Sequence, residues 1–194
     1  KITHLDVSGA LAMPNVVAAF GAAELGELNS SVPCVWPVTD DMVAPDFPAL
    51  AKDTVHHVGD CVAVVLATDA VSAADALEAM SVDYEPLQAV VNMESAISPG
   101  STLVHEDKGT NTCYVYNLGG GYDEKVKEAD VVIKRRFINQ RLIPAFMEPR
   151  SVVAAPMGMS DEITMWTSTQ IPHILRLLIA LVTGIPENNL RVIA

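Results

Sequence analysis

The residues best suited to chemistry are the polar side chains of residues 166–170, written W-T-S-T-Q, directly before an apolar run. Hydroxyl and amide groups beside the first turn of a helix can bind its backbone N–H groups, so helix capping is one interpretation. The helix dipole and the same N–H groups also favour an anion or a metal-bound oxo group, so a binding site is the other. The residues alone favour capping and leave the binding site open.

A second candidate is Glu148, which lies with Arg150 around a proline in the otherwise apolar run A-F-M-E-P-R. A buried carboxylate requires a partner, because an unpaired charge is costly away from water. We therefore predict an intramolecular pairing for Glu148 in preference to a catalytic role.

Three further motifs each have a structural explanation that we prefer. Gly119, Gly120 and Gly121 follow no apolar strand and precede acidic residues, so a flexible turn is favoured over a phosphate loop. His56 and His57 are adjacent and would point to opposite faces of a strand, so a strand edge is favoured over a metal site. The basic residues 134–136 stand in an acidic chain, which favours a solvated or salt-bridged strand over an anion site.

The cysteines do not form a metal-binding pattern. Cys34, Cys61 and Cys113 are widely spaced, with no C-x-x-C pair and no neighbouring histidine to complete a zinc or iron–sulfur set. We therefore predict no metal ligands within this sequence and a reduced, cytoplasmic location. No apolar stretch reaches the roughly 20 residues that a membrane span requires, and no signal peptide is visible.

The composition is that of a chain with much apolar surface to bury. Of 194 residues, 50% are hydrophobic and 19% are charged, and the formal net charge is −12. Either the core is large, or part of the apolar surface meets another chain. The negative charge would repel a phosphate backbone, so nucleic acid is excluded as a partner.

The candidate residues must be positioned by strands and helices, and the first half of the chain predicts several of these elements. Alternating and β-rich patterns predict strands over residues 1–7, 16–20, 61–67 and 81–85, and the continuous apolar run 61–67 predicts a strand covered on both faces. A helical turn is predicted at 8–13, and residues 21–50 are predicted to be irregular. A helix capped by Asp69 should present Ala70, Ala74, Leu77 and either Ala73 or Met80 on one face.

The second half begins after a weakly patterned connection over residues 93–124. Residues 131–137 open a new region, and strands are predicted at 151–155 and 163–167, with a strand-like run at 190–194. Residues 172–183 read as a helix, with Pro172 in its first turn and Gly184 past its end. Because that helix is apolar almost all round, we predict that it is buried. We also interpret the chain as an excised piece of a longer protein.

Eight short blocks, spread over nearly the whole chain, resemble the molybdenum hydroxylases, the family of xanthine oxidase, aldehyde oxidase and aerobic carbon monoxide dehydrogenase. In chain order they are V-H-H-V-G-D-C-V-A-V-V-L-A-T-D at residues 55–69, A-A-D-A at 73–76, V-D-Y-E-P-L-Q-A-V-V at 82–91, N-Q-R at 139–141, M-E-P-R at 147–150, W-T-S-T-Q-I-P-H at 166–173, G-I-P-E at 184–187 and R-V-I at 191–193. Each block is modest, but their number and order are typical of the family's large, molybdenum-carrying subunit.

The resemblance implies an α+β fold in two parts. Residues 1–96 correspond to an α/β hammerhead domain lacking its first strands, and residues 97–128 to a connecting segment. Residues 129–194 correspond to the start of the molybdopterin-binding domain, which is incomplete at its C-terminal end.

The resemblance also implies site residues and a cofactor. Gln170 would hydrogen-bond the apical oxo group of the molybdenum, with Thr169 beside it in the cofactor-binding segment. The M-E-P-R block would be a structural signature beside the cofactor. The parent enzyme would carry molybdopterin in its cytosine dinucleotide form and would hydroxylate or oxidise a small molecule with water-derived oxygen. Its electrons would pass to iron–sulfur (2Fe-2S) and FAD-binding subunits or domains, and the large subunit would form a dimer.

Some family features are missing from this sequence. The Gly-Gly-Phe-Gly cofactor loop, the substrate-side loop and the base glutamate are absent, and the 119–121 glycines lack the following Phe-Gly. We therefore expect the isolated chain to hold no cofactor and to be inactive. The C-V-W-P run at 34–37 and the M-E-P-R block favour the carbon monoxide dehydrogenase-like branch. The alternative is a binding or subunit-assembly module without a redox role.

Overall fold

A computed structural model of the chain describes residues 1–140, 142, 145–158 and 161–194. It contains an N-terminal α+β region with two small sheets, a long connection and a C-terminal three-stranded sheet with one long helix. The mixed fold class predicted from the sequence is confirmed. Among the described residues no helix is long and apolar enough to span a membrane.

Two antiparallel strand pairs form the N-terminal region. The strands are β1 (Ile2–Asp6), β2 (Val16–Gly21), β3 (Ala63–Ala67) and β4 (Ser81–Tyr84). β1 pairs with β4, and β2 pairs with β3. All four agree with predicted strands. The unit β3–helix–β4 is split between the two sheets, because its strands pair with different partners.

Two helices cover this region. They are α1 (Ser8–Leu11) and α3 (Ala70–Glu78), and the short α2 (Ala22–Leu25) lies between them in sequence. As predicted, Asp69 caps α3, its carboxylate accepting a hydrogen bond from the backbone N–H of Ser72 at 2.8 Å.

The predicted inner face of α3 is wrong for Ala70, Ala74 and Leu77, whereas Met80, one of the two alternatives for the fourth position, packs against the core. Ala76 is fully buried, whereas Leu77 is 55% exposed, and Ala70 and Ala74 are also exposed. Ala76 packs with Ala10 of α1 and Ala19 of β2 in a core of small side chains. In an alanine-rich helix several faces are apolar, so the pattern alone could not select the one that packs.

The predicted two-sided burial of β3 is also wrong. Its residues alternate between half-buried and exposed, and Val64 and Leu66 are 37% and 49% exposed. β3 is one of only two strands in its sheet, and the small core that includes Val65 covers one face. No described residue covers the other face of β3.

Residues 21–50 are more ordered at their start than predicted. α2 and a 3₁₀ helix (Gly26–Asn29) follow β2 directly. The Glu24 side chain accepts from the backbone N–H of Gly21 at 2.8 Å, which fixes the beginning of α2. From residue 30 onwards the segment is irregular, apart from an isolated bridge between Ser31 and Pro48.

The connection carries two short helices, α4 (Met93–Ala96) and α5 (Tyr122–Glu128), with a 3₁₀ turn (Glu106–Lys108) between them. No strand forms over residues 131–137, and Val131 is 76% exposed. The strand expected around the basic residues 134–136 is therefore wrong. The ion-pair part of that expectation holds for Arg136, whose guanidinium lies 2.9 Å from the Glu94 carboxylate.

The C-terminal sheet has the order β5–β6–β7. Its strands are β5 (Val152–Pro156), β6 (Ile163–Thr167) and β7 (Leu190–Ile193). β5 and β6 are antiparallel, whereas β6 and β7 are parallel and connected through α6 (Pro172–Thr183). All three strands agree with the prediction.

Helix α6 begins and ends where its proline and glycine predict, with Pro172 in the first turn and Gly184 at φ +73° past its end. Its predicted burial is wrong, because no α6 residue is buried and Leu181 is 59% exposed. Arg176 makes one side polar by pairing with Glu187 at 3.3 Å. The helix also reaches the N-terminal region, where the Ser30 hydroxyl donates to the carbonyl of Val182 at 3.1 Å.

Candidate functional site

The polar segment, residues 166–170, comprises the last two residues of β6 and the start of the loop before α6, and its three hydroxyl groups are all engaged. Thr167 donates to the carbonyl of Ser151 at 3.2 Å, and Ser168 donates to Oε1 of Glu148, also at 3.2 Å. Thr169 Oγ1 accepts from the backbone N–H of Ile171 at 3.1 Å. Each hydroxyl therefore braces the loop.

The capping interpretation of this segment is wrong for α6. The N-cap position is Ile171, which has no polar side chain, and no side chain caps the first turn. Thr169 instead closes a local turn, because its hydroxyl accepts from the backbone N–H of Ile171, two residues later. This is a common role of threonine in loops. Its hydroxyl proton is still available for donation to a second group.

Gln170 differs from its three neighbours. Its side chain is exposed, and its amide makes no hydrogen bond with any described residue. The backbone on either side is fixed, because β6 ends at Thr167 and α6 begins at Pro172. The loop thus presents one uncommitted amide, a group with two N–H donors and one acceptor oxygen, at a defined position.

Two surface cavities of the described residues have volumes of about 470 and 240 Å³. The first lies beside β1 and α2, and the second lies beside α4. Gln170 lines neither of them. Its side chain lies at the exposed surface of the loop.

Glu148 and Arg150 do not form the predicted pair. Both side chains are exposed, so neither requires a buried countercharge. Glu148 binds Ser168, whereas the Arg150 guanidinium lies over the Phe146 ring, 5.8 Å from its centroid. The prediction that Glu148 has an intramolecular partner holds, but the partner is a hydroxyl.

His56 and His57 are not on a strand edge. They lie in a turn closed by Asp60, whose Oδ2 accepts from the backbone N–H of His56 at 2.6 Å. The other carboxylate oxygen lies 2.9 Å from Nδ1 of His57. Because the segment turns, both imidazoles lie near one carboxylate, which the strand interpretation excluded.

Sequence reasoning did not identify His105. Its ring stacks on that of His56 with centroids 4.2 Å apart. Partial burial, and then the neighbouring His56, lower the pKa of His105 below its ordinary value. Nothing in the sequence signals this pair, since the connection around His105 is weakly patterned and His56 lies far away along the chain.

The remaining candidates show no ligand-binding arrangement among the described residues. Gly119 and Gly121 have positive φ values, but they lie in an irregular segment directly before the polar helix α5, so the predicted turn stays a prediction. No group of three histidine, cysteine, aspartate or glutamate side chains within the described ranges is arranged to hold a metal. Arg141 of the N-Q-R block lies outside the described residues.

Family comparisons agree with the two-part architecture. Residues 1–88 match the a/b hammerhead domain of aldehyde oxidase and xanthine dehydrogenase, and residues 104–194 match a molybdopterin cofactor-binding domain. The chain belongs to the molybdenum hydroxylase family. The hammerhead-type start and the molybdopterin-domain sequence after it are confirmed.

Relatives within the molybdenum hydroxylase family include carbon monoxide dehydrogenases. The carbon monoxide dehydrogenase large chain of Afipia carboxidovorans is 33% identical over the whole chain, which covers 25% of that relative. The corresponding protein of Hydrogenophaga pseudoflava is 29% identical with the same coverage. The chain therefore spans about a quarter of the length of these curated relatives.

Solved structures of the family superpose well on this fold. A reconstituted carbon monoxide dehydrogenase from Oligotropha carboxidovorans gives a TM-score of 0.85 at 32% identity, with 100% of this chain and 25% of that chain covered. Quinoline 2-oxidoreductase from Pseudomonas putida 86 gives 0.87 at 27% identity, with 99% and 24% covered. The two substrates named for these enzymes differ, so the shared fold does not select a substrate.

Proposed function

We propose that this chain is part of the catalytic large subunit of a molybdenum-dependent hydroxylase or dehydrogenase. The subunit oxidises a small molecule with water-derived oxygen. The observation that carries this proposal is the exposed Gln170 amide, uncommitted to any described residue and held between β6 and α6 in a molybdopterin-domain sequence. The identity to carbon monoxide dehydrogenase large chains supports a carbon monoxide dehydrogenase-like branch.

The residues present fit a molybdopterin cofactor, which we propose in its cytosine dinucleotide form. The Gln170 amide and the Thr169 hydroxyl are neutral hydrogen-bonding groups, suited to the oxygen atoms of such a cofactor. When bound, the cofactor supplies two-electron redox chemistry. Gln170 would donate an N–H to a cofactor oxygen and thereby orient it, while the turn closed by Thr169 would keep that amide in place.

The domain boundaries are part of the same proposal. Residues 1–96 form the hammerhead domain, 97–128 the connection and 129–194 the beginning of the molybdopterin-binding domain. The position of α4 supports the first boundary, because Asn92 caps it and its last residue is Ala96. α5, which ends at Glu128, supports the second.

Partners of the subunit would be FAD-binding and 2Fe-2S subunits or domains that carry its electrons away, together with a second copy of the large subunit. The location would be cytoplasmic, where free thiols such as the exposed Cys34, Cys61 and Cys113 stay reduced. The 194 residues alone would hold no molybdenum and show no activity, because the family's cofactor loop, substrate-side loop and base glutamate are not among them.

The alternative is a binding or assembly module without a redox role, which would share with a segment of a large subunit the need to pack against other polypeptide. The chain exposes 15303 Å² of surface, against about 9,000 Å² expected for a compact monomer of 20.7 kDa. Such a surface suits extensive packing against other polypeptide. Molybdenum content distinguishes the candidates, because an assembly module would leave the purified, complete subunit without stoichiometric metal.

The direct test is Gln170→Ala in the assembled enzyme, compared at equal molybdenum loading. Loss of one preorganised donor should reduce turnover about a hundredfold, equivalent to roughly 3 kcal/mol. The melting temperature should not change, since no described residue bonds to this amide. Gln88→Ala is the control, because among the described residues that exposed side chain binds only the adjacent Ala89 carbonyl, at 3.4 Å. Normal turnover in the Gln170 variant would contradict the proposed role.

A further inference from the structure

The Glu148 carboxylate is joined to the Gln170 loop by one side-chain hydrogen bond. Its Oε1 accepts from the hydroxyl of Ser168 at 3.2 Å. Ser168 is only two residues before Gln170, and the intervening Thr169 is fixed by its bond to Ile171. A displacement of Ser168 would therefore also move Gln170, because only the hydrogen-bonded Thr169 separates the two residues.

This bond lies where the backbone ladder between β5 and β6 stops. The last paired residues at that end are Val152 and Thr167. The Thr167 side chain also donates to the carbonyl of Ser151, the residue before β5, at 3.2 Å. One residue further along, Ser168 donates to Glu148. Two side-chain bonds thus continue the contact between the segments after the strands have ended, and Glu148 makes the outermost one.

We propose that Glu148 is a positioning residue, which holds the Gln170 loop in register with the start of β5 through Ser168. This inference rests on the proposed function of Gln170 and adds a second residue to it. Glu148 does not itself contact the cofactor in this proposal. It acts as a hydrogen-bond acceptor, so its charge is not required.

The experiment uses the assembled enzyme that contains this chain, with Glu148→Ala, Glu148→Gln, Ser168→Ala and the double alanine variant. Glu162→Ala is the matched control, because that exposed carboxylate makes no side-chain hydrogen bond with a described residue. Turnover is measured at equal molybdenum loading. The EPR spectrum of partly reduced enzyme, in which molybdenum carries one unpaired electron, provides a readout that does not depend on turnover.

Glu148→Ala and Ser168→Ala should each reduce turnover on the order of tenfold, less than the hundredfold that a 1 Å misplacement can cause. Both should change the EPR spectrum in the same direction as Gln170→Ala. Because the residues act through one bond, the double variant should be no worse than either single variant. Glu148→Gln keeps an acceptor oxygen and should restore most of the turnover.

Two results would overturn this proposal. In the first, Glu148→Ala or Ser168→Ala has the same turnover and EPR spectrum as the Glu162→Ala control, although Gln170→Ala lowers turnover. The second is a lower melting temperature with an unchanged EPR spectrum, which would make the bond merely structural. Should Glu148→Ala fail to fold, Ser168→Ala removes only the donor and decides the question. An unimpaired Gln170→Ala enzyme would instead contradict the proposed function.

Discussion

The imidazole rings of His56 and His105 stack with their centroids 4.2 Å apart and an angle of 25° between their planes. This contact joins the turn before β3 to the long connection. Lys108 reinforces the junction, since its ammonium lies 3.5 Å from Asp46 and 2.9 Å from Asp107. The backbone N–H of Val43 also donates to the carbonyl of Cys113 at 2.7 Å. The connection is thus attached to the N-terminal region at several points.

The stacked pair predicts a pH-dependent attachment of residues 105–113. Burial and His56 lower the pKa of His105 from its ordinary 6.5, so the folded chain binds this proton less tightly than the unfolded chain. The stabilisation is therefore complete above about pH 6.5 and is lost as the pH falls through the folded-state value. Nearby Asp107 and Asp46 oppose the shift, whereas Lys108 adds to it.

Hydrogen exchange, corrected for the intrinsic effect of pH, measures this loss as reduced protection of residues 105–113 between pH 7 and pH 5. His105→Phe keeps an aromatic ring but cannot titrate, so its protection should change much less. His173→Phe, at an exposed position, is the control and should behave like the unmodified protein. An equal loss of protection in the His105 variant would contradict the assignment.

Gly9 is required where α1 meets α3. A Cβ atom at this position would overlap the carbonyl oxygen of Ala79. Because the obstruction is backbone, Gly9→Ala should destabilise the fold by about 1–3 kcal/mol, as overpacked cores do. Gly120→Ala is the control, since a Cβ there meets nothing within 4 Å. Chemical denaturation of both variants measures the difference, and equal unfolding midpoints would show that α1 can move aside.

Asn29 closes the irregular segment that follows the 3₁₀ helix. Its amide donates to the carbonyl of Leu50 at 2.9 Å and accepts from the N–H of the same residue at 2.8 Å. Leu50 is only 4% exposed. Asn29→Ala would leave these two buried backbone groups without their partner, so we expect a loss of about 1–3 kcal/mol.

The same variant should make residues 30–49 more sensitive to proteolysis, because the two ends of the segment are no longer joined. Asn188→Ala is the control, since the neighbouring Asn189, at 2.7 Å, is the one described residue that this exposed side chain binds. Limited proteolysis followed by mass spectrometry locates the cleavage sites. Unchanged resistance in the Asn29 variant would show that the Ser31–Pro48 bridge suffices.

Local sequence signals determined the regular elements of this protein and their ends. Asp69 begins α3 and Gly184 ends α6 as predicted, because capping and a left-handed turn depend on the nearest few residues. Seven predicted strands agree for the same reason, since side-chain pattern is a local property, although the strand expected around residues 134–136 does not form. The eight family blocks are runs of neighbouring residues, so the amino-acid sequence by itself is enough to identify the family.

Only the tertiary structure decided which faces are covered and which distant groups meet. The inner face of α3 depends on Ala10 and Ala19, which lie far away along the chain. His105 stacks on His56, and Glu148 binds Ser168 in place of Arg150, because the chain brings remote segments together. Such pairings arise from packing across long loops, which residue spacing does not encode.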